Sequence, residues 1–150
     1  MRVLLSSLIN IPSLVTEICE GTFYYCPSLT SIVLPNVETI SNFAFYYCTS
    51  LASVSMLSVV SIGNAAFYGC TSLTSIFIPI SCTTIGGPES ISGWKHGSDG
   101  PPFDKCSSSL VINCKASSEP DGWNTYWNYY EYISNSTANQ LSSINWGVSA

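Results

Sequence analysis

Three stretches decide the fold: FYYCPSLTSIVLP at 23–35, FYYCTSLASVSML at 45–57 and FYGCTSLTSIFIP at 67–79. They are one phrase written three times, 22 residues apart. Phe23, Phe45 and Phe67 keep that interval, as do Cys26, Cys48 and Cys70; Leu29, Leu51 and Leu73; Ile32, Val54 and Ile76; and Leu34, Met56 and Ile78. A period of this length marks a solenoid, in which each coil buries its apolar face against the next and none is stable alone. Inside the phrase, L-x-x-I-x-L ends in an alternation of β-favouring residues, which predicts a short strand with its apolar members inward. Pro35 and Pro79 have no N–H to give to a ladder and mark the strand's end. Stacked coils then pair these strands in parallel at about 4.8 Å per coil.

Working outward, Val37 and Ile40 recur as Val59 and Ile62 and, one residue later, as Cys82 and Ile85. These belong to the return path, expected to be irregular or to make one helical turn. Upstream, Ile9, Ile11, Pro12, Val15 and Ile18 fit a worn first repeat. The opening MRVLLSSLINI is read as part of that repeat rather than as a signal peptide, because Ser6, Ser7 and Asn10 break its apolar run and no small-x-small site follows. Downstream, Gly- and Pro-flanked polar sequence at 86–102 predicts an inserted loop. Phe103 and Cys106 resume the phrase, and Leu110, Ile112 and Cys114 face inward on a last strand. Beyond Lys115 the chain is rich in Trp and Tyr, and Trp123, Trp127 and Trp146 read as a cap over the open end. The expected organisation is thus an array at 1–115, of about four coils with the first degenerate, and a C-terminal cap at 116–150.

The phrase AFYGCTSLTSIFIP at 66–79 resembles the BspA-like, treponemal-type leucine-rich repeats. The ending CKASSEPDGWNTYWN at 114–128, followed by WGV at 146–148, looks like the closure found on many such proteins. The resemblance spans residues 9 to 147. It implies a curved leucine-rich repeat solenoid with short parallel strands on its concave face and no active site. It also implies a surface or secreted protein that binds host or matrix macromolecules or other cells. Family members commonly carry more repeats, a signal sequence and an anchor, of which this chain offers no clear example.

Composition narrows the function classes. Charged residues are only 9% of the chain and the net charge is −5. The basic residues are Arg2, Lys95, Lys105 and Lys115 alone. A phosphate backbone needs clustered cations, so nucleic acid is excluded as a partner, as is an anionic membrane surface. No apolar run approaches the ~18 residues of a spanning helix.

Candidate chemistry is sparse. The seven cysteines are expected as buried free thiols, with no metal-type grouping of Cys and His, so no metal and no cofactor are expected. His96 sits in WKHGSD beside Ser98 and Asp99, and residues so close in a Gly-rich loop lack the rigid placement a catalytic triad needs. Glu17, Glu20, Glu38 and Glu131 share no motif that fixes a carboxylate pair. Asn135-Ser136-Thr137 is a glycosylation sequon. The tyrosines following each Phe read mainly as a packing ladder.

The sequence therefore argues for a non-catalytic adhesion or protein-interaction module. Its binding residues are expected at the outward strand positions: Ser31 and Val33, Ser53 and Ser55, Ser75 and Phe77. This neutral, hydroxyl-rich row suits a protein or glycan surface. Two other readings stand beside it. One is a structural, self-associating building block or fragment of a longer array, joined through the N-terminal coil. The other is carbohydrate binding by the aromatic tail, with Trp127 as its test residue.

Overall fold

A computed structural model describes residues 8–87, 100–125, 127–131, 138–140 and 143–149. The strands in chain order are β1 (Leu8–Asn10), β2 (Glu17–Ile18), β3 (Ser31–Val33), β4 (Thr39–Ile40), β5 (Ser53–Ser55) and β6 (Ser61–Ile62). They continue with β7 (Ser75–Ile78), β8 (Thr84–Ile85), β9 (Val111–Cys114), β10 (Tyr129–Glu131), β11 (Ala138–Gln140) and β12 (Ile144–Trp146). No helix occurs among the described residues.

The L-x-x-I-x-L segments form the strand face, paired in parallel as β1-β3-β5 and as β7-β9-β12. The registers match the sequence period, with Ser31 opposite Ser53, Ile32 opposite Val54, and Ile76 opposite Ile112. The return path is neither irregular nor helical throughout. It carries a second parallel ladder, β2-β4-β6-β8, which stacks Ile18, Ile40, Ile62 and Ile85 in one buried column.

Between the ladders runs the Phe-Tyr-Tyr-Cys turn, and it too bonds from coil to coil. Alternate amides donate forward: Phe23 N to Ala44 O and Phe45 N to Ala66 O, both at 2.8 Å, and Tyr47 N to Tyr68 O at 2.7 Å. That alternation bends the chain into left-handed backbone at Tyr25 and Tyr47, with φ of 53° and 55°. Such φ is uncommon for residues with a Cβ, and the forward hydrogen bonds hold it in place. The third repeat has Gly69 at this position, with φ of 73°. A Cβ there would lie 3.0 Å from the Tyr47 ring, so Gly gives both the turn and the room.

Columns of like side chains fill the interior. Phe23, Phe45, Phe67 and Phe103 stack with centroids 5.2, 5.2 and 5.6 Å apart and planes within 6°. Leu29, Leu51, Leu73 and Leu110 are buried, as are Leu34, Met56, Ile78 and Cys114. Cysteine recurs beside the Phe column, where its thiol reaches a Phe carbonyl of the preceding coil. The Sγ of Cys48, Cys70 and Cys106 donates to the carbonyl oxygens of Phe23, Phe45 and Phe67 at 3.1, 3.3 and 3.1 Å. Buried polar backbone needs such partners.

The tail continues the coil. Trp123 bridges Ile85 in parallel, and Asn124 N donates to Ile85 O at 2.8 Å as Gly86 N does to Ile62 O. Trp127 is fully buried and meets Phe103 edge-on at 6.4 Å, ending the Phe column. Strand β12 then pairs with β9, Ile144 opposite Ile112 and Asn145 opposite Asn113. The hairpin β10-β11 is antiparallel. Residues 88–99 of the inserted loop, with His96, Ser98 and Asp99, lie outside the described residues, as do residues 1–7 and the sequon at Asn135.

Candidate functional site on the strand face

Pleating alternates side chains across each short strand, so the buried Ile32, Ile76 and Ile112 fix which neighbours look outward. Ser53, Ser55 and Ser75 are exposed, while Ser31, Val33 and Phe77 are half-buried. The structure thus sets all six residues on one face. Asn113 and Asn145, not picked out from the sequence, extend that row. Asn113 Nδ2 donates to Ser75 Oγ at 3.3 Å and Asn145 Nδ2 donates to Asn113 Oδ1 at 2.9 Å, tying three coils together by side chains.

The face is divided in the middle. β5 and β7 are neighbours, yet no ladder joins them, and the strand face consists of two three-stranded sheets. Over this division opens a cavity of about 530 Å³, lined by Val54, Ser55, Met56 and Leu57 on one side and Phe77 and Asn113 on the other, with Val148 and Ser149. Val54 is only partly buried, unlike Ile32 and Ile76 in the same column, because the cavity lies against it. Ser55 and Phe77 of the sequence-expected row meet here, whereas Ser31, Val33, Ser53 and Ser75 do not line it.

None of these lining residues is charged or titratable. An apolar floor with a few hydroxyl and amide groups is fitted to hold a neutral ligand and orient it by hydrogen bonds. Ser55 has no base among the residues around the cavity. Among the described residues no three His, Cys, Asp or Glu side chains gather as a metal site. All seven cysteines are free thiols, but only Cys48, Cys70, Cys82 and Cys114 are buried; Cys26 and Cys106 are partly buried and Cys19 is exposed, against the expectation of burial throughout. Burial pushes Cys48, Cys82 and Cys114 up to about 12, and Cys70 and Cys106 are pushed up for the same reason. Neutral thiols are weak nucleophiles, so these side chains serve the core.

The family model for the BspA type leucine rich repeat region matches in six copies over residues 4–88, more than half of the chain. This chain belongs to the BspA-type leucine-rich repeat family. Leucine-rich repeats are generally protein-interaction modules and generally non-catalytic. Among solved structures the chain is similar to the crystal structure of a T. pallidum leucine-rich repeat protein, TpLRR, at 20% identity and a TM-score of 0.44. That match covers 72% of this chain and 58% of the T. pallidum chain. No curated protein matches the sequence.

Proposed function

We propose that this leucine-rich repeat chain is an adhesion-type interaction module that seats an extended segment of a partner protein across its strand face, anchored at the β5–β7 cavity. The observation that carries the reading is the cavity itself, a neutral, mostly apolar recess of about 530 Å³ in the outward row at Phe77. An apolar partner side chain entering it would bury area, and the Ser55 hydroxyl among the lining residues supports hydrogen bonding to the partner's backbone. BspA-type repeat proteins are typically surface or secreted, and the same setting is proposed for this chain. Selection of peptides from a displayed random library against the chain tests the reading. Selected peptides should lose at least about tenfold in affinity against Phe77→Arg, which puts a charge in the recess. Peptides that bind this variant as well as the wild type, or glycans that bind while no peptide does, would overturn it.

Self-association through the first coil is a second reading, favoured by Leu14 at 93% exposure on that coil. Light scattering over a concentration series tests it, and constant mass would dismiss it. Sugar binding by the tail is disfavoured, because Trp127 is fully buried and Trp123 is 6% exposed. Neither ring is open to stack on a sugar.

A further inference from the structure

The recess on the strand face is not walled by the coils alone. Its lining steps from β5 through Phe77 on β7 and Asn113 on β9 to Val148 and Ser149, which follow β12. Along the face the strands run β5, β7, β9, β12, so these two residues have turned back towards β5.

Gly147 makes that turn. Its φ is 70°, and a Cβ there would meet nothing within 4 Å. Glycine therefore suits the position through its backbone freedom and not through its small size. The hydrogen bonds show the reversal. Gly147 N donates to Ala116 O at 2.8 Å, whereas the next amide, Val148 N, donates back to Cys114 O at 3.2 Å. As the donor advances by one residue the acceptor retreats by two, the opposite of the parallel β12–β9 ladder just before it.

The returned segment is lightly held. Val148 is half-buried without packing on the core, unlike Ile144 and Trp146 of β12. Among the described residues its bond to Cys114 is the one hydrogen bond that Val148 and Ser149 make, and 3.2 Å is the long end of the range. An aliphatic side chain thus borders a neutral, mostly apolar recess on a segment with little to keep it there.

We infer that Gly147–Ser149 is a strap over the strand-face recess, with Val148 as a built-in competitor that an aliphatic side chain of the partner displaces. The inference concerns the regulation of the proposed binding site and rests on that reading. A ligand that binds only with the strap released has its affinity lowered by the fraction of chains in that form. A side chain with a Cβ is disfavoured in left-handed backbone by about tenfold. Replacing Gly147 therefore releases the strap without touching the recess.

Two variants of the full chain, Gly147→Val and Val148→Gly, test it in two measurements. The first needs no ligand. In the methyl-labelled chain, Gly147→Val should shift the signals of Val54, Met56 and Leu57, while those of Ile18 and Ile40 stay in place and show the fold intact. The second uses peptides selected from a random library against the wild-type chain, which should bind both variants about three- to tenfold more tightly. Unmoved methyl signals at Val54, Met56 and Leu57, or peptides bound no more tightly by either variant, would each overturn the strap. Peptides that ignore the strap variants but are weakened by Phe77→Arg would leave the proposed function standing. If no peptide is selected, the proposed function fails, and the methyl shifts alone decide whether the strap covers the recess.

Discussion

Raising the pH should unfold this protein through its thiols. Cys48, Cys82 and Cys114 ionise near 9.0 in a solvated chain, but burial pushes them up to about 12 in the folded one. The folded state therefore holds protons that the unfolded state releases, so stability is full below about pH 9 and falls as pH rises towards 12. Between pH 8 and pH 10 each such thiol removes on the order of 1 kcal/mol, and the three together a few kcal/mol. Cys70 and Cys106 act in the same direction. Against a domain stability of roughly 5–15 kcal/mol this is a large loss. Urea unfolding followed by Trp fluorescence at pH 8, 9 and 10, under reducing conditions, measures it. Cys48→Ser supplies the control, because serine keeps a donor for the Phe23 carbonyl and does not ionise. Its stability should fall less steeply with pH, by on the order of 1 kcal/mol over the same range. A midpoint independent of pH between 8 and 10, or a Cys48→Ser variant with the wild-type pH slope, would refute the reasoning.

Trp127→Ala should cost about 3–5 kcal/mol, since the ring is fully buried against Phe103, and a lowered thermal midpoint by circular dichroism would register it. Phe45→Ala should cost a similar 3–5 kcal/mol, because its ring stacks on Phe23 and Phe67 at once. Gly69→Ala should destabilise by about 1–2 kcal/mol in chemical denaturation, given its φ of 73° and the Tyr47 ring 3.0 Å from a Cβ. Asn113→Ala should cost only about 1 kcal/mol in the same assay, as its side-chain bonds to Ser75 and Asn145 are exposed.

The repeated positions made much of the fold legible. Phe23, Leu29, Ile32 and Leu34 each recur at 22 residues, and each begins a column that is buried throughout except at Val54. The second ladder was not legible, because a strand of two residues such as Thr39–Ile40 is too short to show a period. The tail hid its part differently. Trp123 takes the place that isoleucine holds in the earlier coils, and so breaks the apparent repeat while keeping its position. A signal was present in the matching triplets Ile112-Asn113-Cys114 and Ile144-Asn145-Trp146, which pair in register. At the candidate site, alternation alone assigned the outward faces of Ser55 and Phe77. The cavity between them was not foreseeable, since it arises where β5 and β7 fail to join, and no residue type announces a missing ladder.

The central structural claim is that one stack of coils runs from β1 to β12, with the tail bonded into it. Residue-resolved amide hydrogen exchange tests this most directly. The account predicts slow exchange at Phe23, Phe45 and Phe67, and equally at Ile112, Asn124 and Gly147, whose amides donate to Ser143, Ile85 and Ala116 at 2.9, 2.8 and 2.8 Å. Protection of the first three alongside unprotected exchange at Ile112, Asn124 and Gly147 would contradict it.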